Sequence, residues 1–356
     1  MRFSYRRYQE GDAPSINELY FHVTGRHRTV AQHAWQWLKS PAGESEMWLI
    51  EAESDDGSRS LIGHHGVMAE AFTYRGAAVR VGKTENTMVL PEFRDKILYP
   101  RFERIFLGQY EGSFHALFST MGPEPAIRLR KAMGYEARHK WVNIYSGTEP
   151  SISFHVALGR FLGPSNALAS KLEAFGAASI GAAKSTRLNE EIPEFDFNHF
   201  WAKASKHYGL TPARTQSNLH WRFWSNPHRK HYTFKLEDPN LGVGICILSL
   251  RDGHWLYVDD IFCERPEMIA RFLEILQNWS ARTLRVGTLA SMTTADSLDY
   301  FRSAGVRQTS WIHRLSNVVR RTGDQRMPRK VTALGRSVGI KEDSPWFVTP
   351  FFFEGR

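Results

Sequence analysis

The chain has 356 residues, a formal net charge of +9 and 42% hydrophobic residues. That length is long for one core and comfortable for two domains, and the composition excludes a disordered or fibrous chain. The excess of positive charge favours anionic partners such as CoA, nucleotide-sugars, RNA or a membrane surface, or simply aids solubility. No run approaches the roughly 18 apolar residues of a membrane span, and the opening MRFSYRRYQEGD lacks the apolar core of a signal peptide. Cys246 and Cys263 sit in apolar strand-like runs and read as buried free thiols, so a reducing cytoplasm is the expected location.

Taken in order, Arg2 to Tyr8 alternates as a short strand and Glu10-Gly11-Asp12 turns it. A helix follows over Ala13 to Val23, with Asp12 as cap and Pro14 in its first turn, and a second over Val30 to Leu38. Strands are predicted over Met47 to Ala52 and Leu61 to Phe72, and Tyr74-Arg75-Gly76 turns the chain into a central strand from Val79. Pro91 breaks that strand. From Arg94, the residues Ile97, Tyr99, Phe102, Ile105 and Phe106 recur at the spacing of one buried helical face. Pro100 belongs in a first helical turn, so the regular helix begins near Tyr99. Phe114 to Ser119 then reads as a strand, Pro125 to Met133 as a helix closed by Gly134, and Lys140 to Tyr145 as a strand. A strand running into a helix N-terminus leaves free N–H groups and a positive dipole end, a place for a phosphate.

Thr148 to Pro193 is rich in Ala, Gly and Ser and predicts two linker helices, around Phe154 to Phe161 and Leu168 to Ile180. The second half answers the first. Trp35-Gln36-Trp37 with Pro41 is matched by Trp221-Arg222-Phe223 with Pro227. Tyr232 to Glu237, Gly242 to Leu250 and Trp255 to Cys263 answer three strands, Pro266 to Ala281 the helix, and Leu284 to Ala290 the next strand. Ser297, Tyr300, Phe301 and Gly305 take the positions of Ala126, Leu129, Arg130 and Gly134. The tail from Val318 is basic (Arg320, Arg321, Arg326, Arg329, Lys330, Arg336), which reads as a solvated loop, and PWFVTPFFF reads as a last strand.

The stretch from Val79 to Leu107 resembles motif A of the GNAT acyltransferase superfamily, in which a strand ending V-x-P precedes R/Q-x-x-G-x-G/A. Val89, Pro91 and Arg94 match, while Ile97 and Tyr99 replace the two small residues. Ala126, Leu129, Gly134 and Tyr135 resemble the family's second conserved helix, where Arg130 replaces its Tyr. The resemblance implies a mixed α/β fold: two tandem GNAT-like domains, each a twisted, mostly antiparallel sheet flanked by helices. Their expected bounds are 1–147 and 195–356, joined by a helical linker over 148–194.

By that resemblance the chain is an acyl-CoA-dependent N-acyltransferase, similar in arrangement to tandem GNAT proteins of bacterial polysaccharide biosynthesis. Acetyl-CoA is the implied acyl donor and a small amine, such as an amino-sugar, the acceptor. Met88, Val89 and Leu90 would bind the thioester and pantetheine, and Arg94, Asp95, Lys96, Ile97 and Leu98 the pyrophosphate. Glu85 stands where several members keep a general base; an ion pair with Lys83 is its alternative role. Period-two alternation puts Glu85, Thr87 and Val89 on one face. His64 and His65, adjacent on a strand, point to opposite faces, one buried and the other towards the cleft. They are no metal pair, and no metal is expected. A Fem-type aminoacyltransferase using aminoacyl-tRNA is the first alternative, and the only reading with a nucleic-acid partner. A non-catalytic binding or regulatory protein is the second.

Overall fold

A computed structural model describes residues 1–96, 98–119, 124–136, 141–146, 168, 170–172, 178–180, 183–188, 195–251, 255–284, 286, 289–301 and 327–349. It divides the chain into two units. The first holds Met1–Phe72, Ala78–Arg138 and Met327–Asp343; the second holds Thr73–Ala77, His139–Arg326 and Ser344–Arg356.

In chain order the first half runs β1 (Arg2–Arg7), α1 (Ala13–Thr24), α2 (Val30–Trp37), β2 (Glu46–Glu53), β3 (Arg59–Tyr74) and β4 (Ala77–Val89). A 3-10 turn over Pro91–Lys96 leads to α3 (Leu98–Tyr110), β5 (Ala116–Phe118), α4 (Glu124–Ala132) and β6 (Trp141–Ser146). Local chemistry explains most of these bounds. Gly25, at φ 71°, stops α1 in the left-handed conformation. Thr29 and Gln32 form a reciprocal capping box on α2. Arg75 and Gly76, both at positive φ, turn β3 into β4. Pro100 lies in the first turn of α3, where its missing N–H costs nothing.

The second half runs β7 (Ala178–Ile180), β8 (Ala183–Leu188), α5 (Phe197–Ala204), β9 (Leu210–Pro212), α6 (Gln216–Leu219) and a π turn, His220–Trp224. Then come β10 (His231–Asp238), β11 (Gly242–Arg251), β12 (Trp255–Cys263), α7 (Ile269–Trp279), β13 (Leu289–Thr294), β14 (Arg329–Val331) and α8 (Ala333–Ser337). The predicted strand over Leu284 to Ala290 therefore starts later, at Leu289, because a π turn over Ser280–Leu284 prolongs the helical path. The helical linker is also corrected. Leu168 and residues 170–172 are helical, but Ala178–Ile180 and Ala183–Leu188 form a β-hairpin whose second strand pairs with β10. Small residues carry little periodic signal, and β10 supplies the hydrogen-bonding edge. The expected helix over Phe154 to Phe161 lies outside the described residues.

Each unit has its own sheet. In the first, β1-β2-β3-β4-β5-β14 lie side by side; β4 and β5 are parallel, and β14 closes antiparallel on β5. In the second the order is β7-β8-β10-β11-β12-β13-β6; β12 and β13 are parallel, and β6 closes antiparallel on β13. The two sheets share one plan, with the last strand supplied from the other half of the chain. The units consequently cut across the ranges 1–147 and 195–356: Trp141–Ser146 lies in the second sheet and Arg329–Val331 in the first. Arg329 is thus not in a solvated loop. It is 1% exposed, and its Nη2 donates to the Glu342 carbonyl at 3.0 Å. The tail's Trp346 makes a single bridge to Leu210 rather than opening a strand, and residues 350–356 lie outside those described.

The helices α3 and α4 pack on one face of the first sheet. Phe102, Phe106, Leu107 and Tyr110 join Trp48, Val67, Val89 and Leu117 there, with Met133 and Tyr135. On the other face, α2 lays Trp37 across Gly66; a Cβ at Gly66 would stand 2.2 Å from the indole.

Candidate active site

The parallel pairing of β4 with β5 ends at Lys83 opposite Phe118. Past that point β4 carries Glu85, Met88 and Val89, with Leu90 just after its end, and among the described residues no strand pairs with it on the β5 side. Its other edge stays on β3, where Leu90 N–H donates to the Ile62 carbonyl at 2.9 Å. A strand left unpaired along one edge offers backbone donors and acceptors to an extended ligand.

Within this stretch the strand is bulged. A Cβ on Gly82 would meet Leu117 and Val67 at 2.7 Å, so Gly82 faces α3. Lys83 then points to the opposite face, and its Nζ lies 3.2 Å from Oε2 of Glu85. Asn86 follows at φ 48°, in the left-handed region where a non-glycine residue is uncommon. Beyond it the alternation has shifted by one. The Thr87 hydroxyl meets Nδ1 of His65 at 3.2 Å, and Val89 joins the core beneath α3. Glu85 and Thr87 therefore lie on opposite faces. Simple alternation fails here because an extra residue in one strand moves everything after it to the other side.

The loop residues are placed as follows. Arg94 is exposed and turns back, its Nε donating to the Val89 carbonyl at 3.1 Å. Asp95 and Lys96 form an exposed ion pair at 3.3 Å. Leu98 is 3% exposed, its side chain in the core at the start of α3. Ile97 lies outside the described residues. Met88, Val89, Leu90 and Arg94 thus gather at the open end of β4, while Glu85 stands on the far face.

Both histidines of the adjacent pair are buried, 0% exposed, and they do point to opposite faces. His64 Nδ1 lies 2.8 Å from the Asn86 carbonyl, which can only accept, so that nitrogen carries the proton. His65 faces α3, with Nδ1 3.1 Å from Glu103 and Nε2 3.0 Å from the Tyr110 hydroxyl. Burial pushes His64 down to about 3 and His65 to about 4, the latter against the opposing pull of Glu103, so both are neutral at physiological pH.

Glu103 escaped the reading of the sequence. It is 0% exposed, with Arg130 Nη1 3.1 Å away, and Arg130 also donates to the Tyr99 hydroxyl at 3.2 Å. Burial alone would raise its pKa; Arg130, His65 and the Tyr99 hydrogen bond outweigh that and hold it below the ordinary value. Burial meanwhile keeps the Tyr99 phenol well above its usual range. A signal was present: Glu103 stands four residues after Tyr99 and three before Phe106, on the buried face. Arg130 is its counter-charge.

The second unit has the same gap in a different state. Its β12–β13 pairing is confined to Tyr257 opposite Ala290. Beyond it, Thr293 Oγ1 donates to the Val348 carbonyl at 3.0 Å, and Thr349 Oγ1 donates to Asp260 of β12 at 2.8 Å. The segment Trp346–Thr349, at most 1% exposed, fills the gap. Asp260 is gripped from its other side by Arg214 at 2.8 and 3.0 Å. The remaining Arg214 nitrogen donates to Thr211 and to the Pro212 carbonyl.

By sequence, no protein-family model and no curated protein matches the chain. By structure, it is similar to a GCN5-related N-acetyltransferase from Anabaena variabilis ATCC 29413, at 12% identity and TM-score 0.58 over 93% of this chain and 73% of that one. It is likewise similar to a GCN5-related N-acetyltransferase from Kribbella flavida, at 12% identity and TM-score 0.56 over 93% and 71%. Saccharomyces cerevisiae N-myristoyltransferase with bound myristoyl-CoA matches at 11% identity and TM-score 0.51, over 92% and 82%. At such identities the likeness shows the fold, and the fold is that of the GNAT acyltransferases.

Proposed function

We propose that the chain is an acyl-CoA-dependent N-acyltransferase whose first unit binds the donor. The observation that carries the reading is the stretch of β4 from Glu85 to Val89, unpaired on the β5 side among the described residues and running into the N-terminal end of α3 beside Arg94 and Lys96. An acyl-pantetheine laid along that edge would hydrogen-bond to β4, and its pyrophosphate would meet the amides and cations of the following turn. The backbone N–H of Val89, which alternation turns to the open edge while Leu90 N–H is held by Ile62, would bind the thioester oxygen as negative charge develops on it. An ammonium acceptor would give a proton to Glu85, directly or through a water, and the free amine would attack the thioester carbonyl. The C–N bond forms as the C–S bond breaks, releasing CoA. Within this reading the donor is acetyl-CoA, the acceptor an amino-sugar or similar small amine, and the setting the cytoplasm.

Isothermal titration with acetyl-CoA and with a longer acyl-CoA, repeated with tRNA, tests the donor. A panel of amino-sugars and amines then tests the acceptor. Binding of acyl-CoA with transfer to an amine is the expected result. Binding of tRNA alone would favour the aminoacyl-tRNA reading, and absence of both binding and transfer would sink the enzymatic one. Glu85→Gln should lower turnover and alter its pH dependence while leaving acyl-CoA affinity nearly unchanged.

A further inference from the structure

The bulge at Asn86 is what separates Glu85 from the face that Thr87 and Val89 share, and it is held from both sides. On one face, His64 Nδ1–H donates to the Asn86 carbonyl at 2.8 Å; on the other, His65 Nδ1 meets the Thr87 hydroxyl at 3.2 Å. Two consecutive residues of β3 thus take hold of two consecutive residues of β4, one through each face of the sheet. Both rings are fully buried, while Asn86 and Thr87 are half-buried. His65 is itself fixed by Tyr110 and Glu103 of α3, and His64 packs edge-on against Trp37 of α2 at 5.4 Å. Asparagine takes positive φ more readily than most residues, but which face the chain leaves such a bulge on is set by the groups that hold it.

We propose that His64 and His65 are positioning residues for acyl transfer, a clamp that holds the Asn86 bulge and so keeps Glu85 on the face opposite the α3 side of β4. The kinetic part of this inference rests on the acyl-transfer reading; the structural part does not. A role for His64 as the general base is disfavoured by its chemistry. Burial holds it near 3, far below the roughly 10 of an ordinary alkylammonium, so it would recover little of that proton. The bond to Asn86 uses its N–H and needs no change of charge.

The test uses the full chain and three variants. His64→Met keeps an apolar side chain of adaptable shape and loses the donor; His64→Gln keeps a donor. Asn86→Gly, made in the His64→Met background, lets the backbone take positive φ without a clamp. In steady-state kinetics His64→Met should lower kcat by about tenfold or more, the size expected for a displaced catalytic group. KM for acyl-CoA should stay within about twofold, because Val89 in the core and Leu90 N–H on Ile62 keep the donor segment anchored while Glu85 moves. His64→Gln should retain most of kcat, and Asn86→Gly should recover part of what His64→Met loses. Mere packing would not respond to a glycine on the neighbouring strand. A crystal structure of His64→Met should show residue 86 leaving positive φ and Glu85 parting from Lys83. Wild-type kcat in His64→Met, no recovery by Asn86→Gly, or an unchanged bulge in that crystal structure would each overturn the proposal. If His64→Met does not fold, the double variant is expected to fold, and its failure would count against the clamp. Should the wild type transfer no acyl group, the acyl-transfer reading falls while the crystal structures still decide the clamp.

Discussion

The two units build the same central feature and finish it differently. In each, a long strand is bulged and is followed by a helix and then a short parallel strand. In the first unit the bulge falls at Asn86, whose carbonyl takes a neutral histidine, and the next residue, Thr87, takes another. In the second, Ile247 pairs with Asp260 and Leu248 with Val258, so Asp259 is the extra residue. Asp259 pairs with Arg251, and Asp260 with the buried Arg214 and with Thr349. One bulge is held by neutral histidines, and among the described residues its strand has no partner on the β5 side. The other is locked by ion pairs, and its gap is filled by Trp346–Thr349. The difference teaches that one sheet plan used twice can leave one strand edge open and close the other with a segment distant in the chain.

The largest expected effects come from breaking the buried charges that define each side. Glu103→Ala strands Arg130, and Asp260→Ala strands Arg214; each should cost about 3–5 kcal/mol in denaturant unfolding, since an uncompensated buried charge remains. The pH dependence has a definite sign for Glu103. Its folded-state pKa is depressed, so its contribution is present above the ordinary glutamate value and is lost as pH falls through the lower folded value. The stability lost as pH falls below the ordinary glutamate range should shrink in a Glu103→Gln Arg130→Met double variant, which has no such pair.

Glycine substitutions probe the packing of the two central sheets. Gly66→Ala drives a methyl against the Trp37 ring at 2.2 Å, whereas Gly244→Ala meets Phe272 at 2.9 Å. Overpacking of this kind costs about 1–3 kcal/mol, and Gly66→Ala should be the worse of the two in thermal melts. Calorimetry addresses the gaps themselves. One acyl-CoA should bind per chain, because the second gap is filled, and Arg94→Ala should weaken it by about 1–3 kcal/mol if a charge-assisted contact is lost. A stoichiometry of two would break the comparison. The smallest effect concerns what the halves share. Thr29 and Thr215 each cap a helix six residues before the repeated Trp, accepting from Gln32 and Asn218. Thr29→Ala and Thr215→Ala should each cost about 1 kcal/mol, by similar amounts.

Much of this architecture was legible in the sequence itself. Alternation marked the strands, Gly134 marked a helix end, and Pro14 and Pro100 marked first turns, because those signals act over a few residues. The answering Trp motifs announced that one plan is used twice. Cys246 and Cys263 are indeed buried free thiols, and burial raises both well above the usual range. The proximity of Met88, Val89, Leu90 and Arg94 needed only their closeness in the chain. Glu85 was harder: its face depended on Asn86, and an asparagine inside a strand pattern does not announce a left-handed residue.

What the sequence determined by itself was local: which segments are strands or helices, where they stop, and that their order repeats. Tertiary structure decided three further things. It exchanged Trp141–Ser146 and Arg329–Val331 between the sheets, placed Trp346–Thr349 in one gap and not the other, and buried Glu103, Arg130, Arg214 and Asp260. Each depends on a partner distant in the chain. A strand edge is satisfied by whichever strand reaches it, and a charge is tolerated inside only where an opposite charge arrives to meet it. Periodicity records neither event, because neither is a property of neighbouring residues.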